Sequence, residues 1–241
     1  MGRSTAWAGM LTVALIGADG AGKTTVARHL ARVLDVPVTY LYMGVNLEAS
    51  GLMLPTTRLA LALKRRAGGQ PDMTLGSGRP RPVPSEPCAL RPVRICLKSA
   101  LRTVNWIAEE GFRESVAWYH HRRGRVVLCD RHFLPDYYAH DVTRVDPARP
   151  VASRVHGFFL RQVFPRPDLV VMLDAPAEVL HARKPSGSIE FLESRRAEYL
   201  QVREAVDRFE VVDATQPLPV VITAVADLIR HAYQERRATR R

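Results

Sequence analysis

Lysine is scarce in this chain. Only Lys23, Lys64, Lys98 and Lys184 occur among 35 basic residues, so the formal net charge of +11 at pH 7 is carried by arginine. Cysteine is scarcer still. Cys88, Cys96 and Cys129 make no C-x-x-C pair. That excludes a disulfide framework and a cysteine zinc site, and predicts a reducing compartment, the cytoplasm. Eight histidines contain no H-E-x-x-H pattern. The pair His120–His121 reads as a solvated helix end. Aromatic residues are 7% of the chain and do not alternate with basic ones. No nucleic-acid-binding motif is present, so the positive charge points to small polyanions rather than to DNA or RNA. No apolar run approaches the roughly 20 residues needed to cross a bilayer, and no internal repeat is present.

What remains is the composition of a globular protein, 46% hydrophobic and 24% charged over 241 residues. That length predicts a single α/β domain over 1–241 with a substantial core. Its strongest local signal is GADGAGKTT, Gly17 to Thr25, which fits G-x-x-x-x-G-K-[ST]. An apolar run, Leu11 to Ile16, precedes it as a buried strand. An amphipathic stretch, Thr25 to Leu34, follows it as a helix. The residue types suit phosphate. Gly17, Gly20 and Gly22, with Ala21, let backbone N–H groups close around phosphate oxygens. The helix N-terminus adds partial positive charge. Lys23 would reach the β/γ-phosphates and the Thr24 hydroxyl would hold Mg²⁺. Asp19 and Thr25 complete the nucleotide-binding set. The reading is a binding site for ATP with Mg²⁺. Ala6 to Ala18 is apolar enough to imitate a signal peptide after Arg3, but cleavage there would destroy this loop.

Apolar runs alternate with helical patterns along the chain. Strands are expected at Leu11–Ile16, Val38–Tyr42, Val126–Cys129, Leu169–Leu173 and, more weakly, Val211–Val212. Helices are expected near Thr25–Leu34, Arg91–His121, Val151–Val163, Ala177–Arg183, Ile189–Arg208 and Pro217–Gln234. This alternation predicts a doubly wound parallel sheet of about five strands flanked by helices, of P-loop NTPase or kinase type. Ligands of such sheets sit beyond the carboxyl ends of the strands. Residues 67–87, rich in Gly and Pro, break the rhythm and read as a mobile insertion. It suits an acceptor lid, a partner segment or an insertion without a role.

VVLCDRH, Val126 to His132, is an apolar strand ending in Asp130–Arg131. A carboxylate there can hold Mg²⁺ or orient an attacking oxygen, and Arg131 can clamp a phosphate bidentately. The alternative is a capped strand end with a structural ion pair. Asp174, after the fourth strand, reads either as a group behind the metal or as a helix cap. Arg183 and Lys184 precede the flexible KPSGS, predicting a short lid over 183–190 whose cations meet the transferring phosphoryl group. Arg195 and Arg196 offer either one site residue or a solvated basic face.

The order GADGAGKTT, VVLCDRH, PDLVVMLDAPAEVLHAR, EFLESRRAEYL resembles the thymidylate kinase family of P-loop nucleoside monophosphate kinases. The resemblance covers about residues 11–43 and 100–210. It implies ATP and Mg²⁺ at Gly17–Thr25, with Lys23 on the phosphates. It places Asp19 near the acceptor sugar, gives Asp130 and Arg131 to the acceptor phosphate and makes Arg183 a lid cation. It also implies a homodimer packed through long helices. The family carries an arginine on the long helix before the third strand. That place falls near Glu109 here, and Arg113 lies one turn further on the same face. The serine and Tyr-Gln pair that serve the thymine ring are replaced by HFLPDYYAHD, with Tyr137 as the candidate acceptor-side aromatic. The expectation is therefore an ATP-dependent kinase of a nucleoside monophosphate or related small acceptor, with dTMP itself disfavoured. The competing expectations are a kinase of a sugar or natural-product hydroxyl, and an ATP-dependent switch.

Overall fold

The computed structural model describes residues 11–44, 51–66, 91–143 and 151–238. Strand β1 (Thr12–Ile16) leads through the glycine loop to α1 (Lys23–Val33), then to β2 (Val38–Tyr42). Helix α2 (Pro55–Arg66) and the 32-residue α3 (Arg91–Arg122) come before β3 (Val126–Asp130). Next stand α4 (Phe133–Tyr137), a π-helical turn over Tyr138–Thr143, α5 (Val151–Gln162) and β4 (Leu169–Asp174). Then follow α6 (Ala177–Arg183), α7 (Ile189–Gln201), a 3₁₀ turn, β5 (Phe209–Asp213) and α8 (Leu218–Ala238). The insertion expected over 67–87 lies outside the described residues.

All five strands are parallel, in the order β2-β3-β1-β4-β5. The central strands TVALI, VVLCD and LVVMLD are nearly continuous apolar runs, as a sheet covered on both faces requires. The period-two alternation divides their side chains. Val13, Leu15, Leu128 and Val171 face one core with Val26 and Leu30 of α1 and Val225 and Ile229 of α8. Ala14, Ile16, Cys129 and Met172 face the other with Phe133, Leu160 and Tyr199. The connection leaving β1 runs toward β2, and the one leaving β3 crosses β1 to β4. A crevice therefore opens at the carboxyl ends between β1 and β3. Leu15 pairs with Asp130 in register, which sets the glycine loop and Asp130–Arg131 side by side there.

Four local expectations change. The helix expected over Ile189–Arg208 ends at Gln201 and tightens to a 3₁₀ turn at Val202–Ala205. Val202 and Ala205 are buried, so packing stops the helix with no glycine or proline to announce it. The strand expected at Val211–Val212 extends over Phe209–Asp213 through pairing with β4. Helix α2 was not expected. Its Pro55 suits a first helical position, but its start is tied from elsewhere, by the Glu109 carboxylate of α3 accepting from Leu54 N at 3.1 Å. His121 is not a solvated end either. It is buried with Nε2 2.8 Å from Thr12 Oγ1, fastening α3 to β1.

Candidate active site

The glycine loop is shaped by its walls. A Cβ on Gly17 would lie 2.3 Å from the Leu173 carbonyl oxygen of β4, and one on Gly20 would lie 2.4 Å from that of Leu180 on α6. Gly22 sits in the left-handed region, φ 82°, and starts α1 with no side-chain cap. The first amide groups of α1 thus carry the helix dipole toward the loop. Lys23 is buried and folds back, Nζ donating to the carbonyls of Gly17 and Ala18 at 2.7 Å each. Burial, aided by the Arg131 charge, lowers its ammonium to about 7, although Asp19, Asp136 and Asp130 pull the other way. Thr24 is half-buried on the first turn, and Thr25 beside it is exposed.

Arg131 also holds a left-handed backbone, φ 65°, unusual for a side chain of that size. Its Nη2 donates to Asp19 Oδ1 at 2.7 Å. Lys184 Nζ (3.5 Å) and Ser186 Oγ (3.4 Å) approach Asp19 Oδ2, so the segment after α6 meets the loop at Asp19. Burial alone would raise the Asp19 carboxyl. Arg131, Lys23 and Lys184 outweigh it and hold the group at about 2. Arg183 takes a different place, its Nη1 donating 2.7 Å to Ala214 O after β5. Asp174 is not the cap of α6, a place Pro176 takes. It takes both Nε and Nη2 of Arg196 (2.7 and 2.8 Å), which locks α7 to the end of β4. Arg195 is the arginine that turns to the crevice, toward Tyr199 Oη (3.0 Å) and Asp136 (3.8 Å).

Four charged residues act on Tyr42, at the end of β2. Arg131, Asp130, Asp136 and Arg113 all act electrostatically on its hydroxyl. Asp130 is fully buried. Its Oδ2 accepts from Tyr40 Oη at 2.9 Å, while Oδ1 has no partner among the described residues. Asp136, on α4, is alike: Oδ1 accepts from Tyr199 Oη at 2.8 Å, and buried Oδ2 has no partner among the described residues. Arg113 is 3% exposed and donates through Nη1 to Gly44 O at 2.8 Å, and its buried Nε and Nη2 have no partner among the described residues. Buried polar groups are nearly always paired, so orphaned groups of both signs beside one crevice are the signature of a ligand site. Tyr137 is buried next to them, edge-on to Trp106 at 4.7 Å. Glu109 does not join this group, being spent on Leu54 N.

The structure thus brings together Asp19, Lys23, Asp130, Arg131, Arg113 and Tyr137 and leaves Arg183 elsewhere. Asp136 and Tyr42 join them with no motif around either in the sequence. Asp136 stands in HFLPDYYAHD without a motif, and only α4 turns it inward.

No family model and no curated protein matches the chain. Among solved structures, it is similar to a deoxyadenosine kinase from M. mycoides with the products dCMP and a flexible dCDP bound. The two share 14% identity over 92% of this chain and all of that one, with a TM-score of 0.50. At that identity the likeness is one of fold. With the five-stranded parallel sheet, it defines a P-loop kinase α/β architecture.

Proposed function

We propose that this chain is an ATP-dependent phosphotransferase whose acceptor is a nucleoside monophosphate or a related small molecule. The observation that carries the acceptor half is Arg113, a buried guanidinium with two nitrogens unpartnered among the described residues. A phosphate group would supply the missing acceptors bidentately. The glycine loop with Lys23 supports ATP as donor. The similar deoxyadenosine kinase fold and the thymidylate-kinase-like motif order support the same reaction class.

Mg²⁺ suits the residues present. Asp130 Oδ1, without a partner among the described residues, is a hard oxygen at the strand end beside the loop, and Thr24 lies on the first turn of α1. These two would hold it, and when bound it would neutralise charge on the phosphates. Loop amides and Lys23 would grip the β- and γ-phosphates, with Lys184 covering them. Arg131, anchored by Asp19, would set the acceptor oxygen toward the γ-phosphorus. That oxygen would bond to phosphorus as the bond to ADP breaks. No protein nucleophile is required, since positioning and charge neutralisation suffice.

A second reading has its own support. Asp136 Oδ2 is a carboxylate oxygen without a partner among the described residues, which favours a hydrogen-bond donor on the acceptor and would suit a hydroxyl. With either acceptor, the proposal includes a homodimer formed through the long helices, supported by the exposed Leu101 and Val104 on α3 and Val155 and Phe158 on α5.

The test is coupled ADP release with ATP and Mg²⁺ over a panel of nucleoside monophosphates, nucleosides and sugars, with Lys23→Ala as control. Stimulation by one monophosphate supports the first reading, and stimulation by an unphosphorylated hydroxyl compound alone supports the second. ATP binding without stimulation by any member would leave a nucleotide-driven switch.

A further inference from the structure

Glu109, Glu110 and Arg113 stand one turn apart on α3, at the i,i+4 and i,i+3 spacings that form ion pairs on a helix. All three are at least 97% buried, where an unpaired charge is costly and pairing is strongly favoured. Yet neither carboxylate bonds Arg113. Both oxygens of Glu109 accept from Leu54 N, at 3.1 and 3.2 Å. Both oxygens of Glu110 lie on His156 Nε2, at 2.9 and 3.2 Å.

His156 is built to do this. It is fully buried on α5, and Asp141 Oδ2 meets its Nδ1 at 2.6 Å. Trp106 stacks on the ring, centroids 3.8 Å apart, and also hydrogen-bonds Glu110. Asp141 is carried by the π-helical turn, and α5 approaches that turn so closely that a Cβ on Gly157 would lie 2.0 Å from Asp141 O. The irregular turn and the glycine together put a carboxylate behind the imidazole. A π-turn inside a helical stretch often marks a functional position.

We propose that His156 is a positioning residue: by holding the Glu110 carboxylate it keeps Arg113 Nε and Nη2 open for the anionic group of the acceptor. The proposal rests on the reading that Arg113 receives the acceptor's phosphate. Without the imidazolium, Glu110 has one strong cation within reach on its own helix face, and turning to it fills the receptor from inside the protein. Asp141 acts one step further back, by keeping His156 charged and oriented.

The test titrates dTMP, dCMP, dAMP and dGMP separately into protein saturated with Mg²⁺ and a non-hydrolysable ATP analogue. For the tightest of the four, His156→Gln is expected to weaken binding at least 10-fold, with affinity for the ATP analogue unchanged within 2-fold. His156→Gln/Glu110→Gln is expected to return within 3-fold of the wild type, because the amide cannot form the competing ion pair. A merely structural role for His156 gives no such rescue, since the double variant then binds no better than the single one. That result overturns the proposal. Should His156→Gln not fold, Asp141→Asn takes its place, with a smaller loss and the same rescue by Glu110→Gln. Arg113→Met separates the two levels. If it leaves monophosphate affinity within 2-fold of the wild type, or if none of the four binds the wild type, the reading of Arg113 falls and the proposal with it. If it abolishes binding while His156→Gln does not weaken it, the proposal alone falls.

Discussion

Arg131 Nη2 donates to Asp19 Oδ1 across 2.7 Å, joining the end of β3 to the middle of the glycine loop. The two residues are 112 apart in sequence. Parallel pairing of Leu15 with Asp130 makes them neighbours, and the left-handed backbone of Arg131 aims its side chain over the loop. The bond ties the strand end to the glycine loop.

Asp19→Asn should expose this coupling. The Asp19 carboxyl is held at about 2, below its ordinary 3.8, so its contribution is present above pH 4 and is lost as pH falls through about 2. The pair is partly exposed, and screening limits it to about 1 kcal/mol. Acid unfolding of wild type and Asp19→Asn should differ by that amount at pH 5 and converge near pH 2. A constant difference across this range would deny the ion pair.

Lys23→Met should fold and lose at least about 100-fold in turnover, the scale of one lost electrostatic contact in the transition state. The wild type should also take up a proton with ATP. Its ammonium stands at about 7 through burial, and a triphosphate beside it favours the charged form. Calorimetry at pH 8 in buffers of different ionisation heat should show the uptake and Lys23→Met should abolish it. ATP affinity should fall as pH rises from 7 to 9. Equal heats in all buffers for the wild type would contradict this assignment.

Three glycines of the loop should differ in cost. Gly17→Ala and Gly20→Ala drive a methyl into backbone carbonyls at 2.3 and 2.4 Å and should destabilise by about 2–4 kcal/mol. Gly22→Ala meets nothing within 4 Å and strains only its φ of 82°, for about 1 kcal/mol. Urea unfolding gives the order, and a Gly22→Ala variant as unstable as the other two would refute it.

The His156 bridge should be pH-dependent. Burial alone would lower the imidazole, but hydrogen bonds and charge from Asp141 and Glu110 raise it to about 9. A raised base stabilises fully below its unfolded value near 6.5 and loses that contribution as pH rises through 9. The stability gap between wild type and His156→Gln should therefore be largest near pH 6, on the order of 3 kcal/mol, and shrink by pH 10. A gap that widens with pH would show that the imidazole is neutral in the fold.

Much of this could be read along the chain. The loop Gly17–Thr25, the strands VVLCD and LVVMLD and the Asp130–Arg131 end carry their signals within a few residues. Helix α6 was legible to the residue, because Pro176 before it and the basic Arg183–Lys184 end bound it. Helix α2 was hidden because Glu109, 55 residues away, ties its start. The roles of Arg195 and Arg196 could not be separated from spacing alone. Their partners, Tyr199 with Asp136 for one and Asp174 for the other, depend on how α7 packs.

By itself, then, the sequence determined a phosphate loop between a buried strand and an amphipathic helix, a parallel α/β sheet, and an acid–arginine pair at a strand end. These follow from steric needs and periodicities that act over a few residues. Only the tertiary structure decided which polar groups are left open. Among the described residues, two nitrogens of Arg113 have no partner, while Leu54 and His156 bond the carboxylates beside it. Asp136 and Asp130 each bond a tyrosine through one oxygen, and the other has no partner among the described residues. Those partners come from distant segments, and burial turns their arrangement into a site by removing the water that would otherwise satisfy every one of these groups.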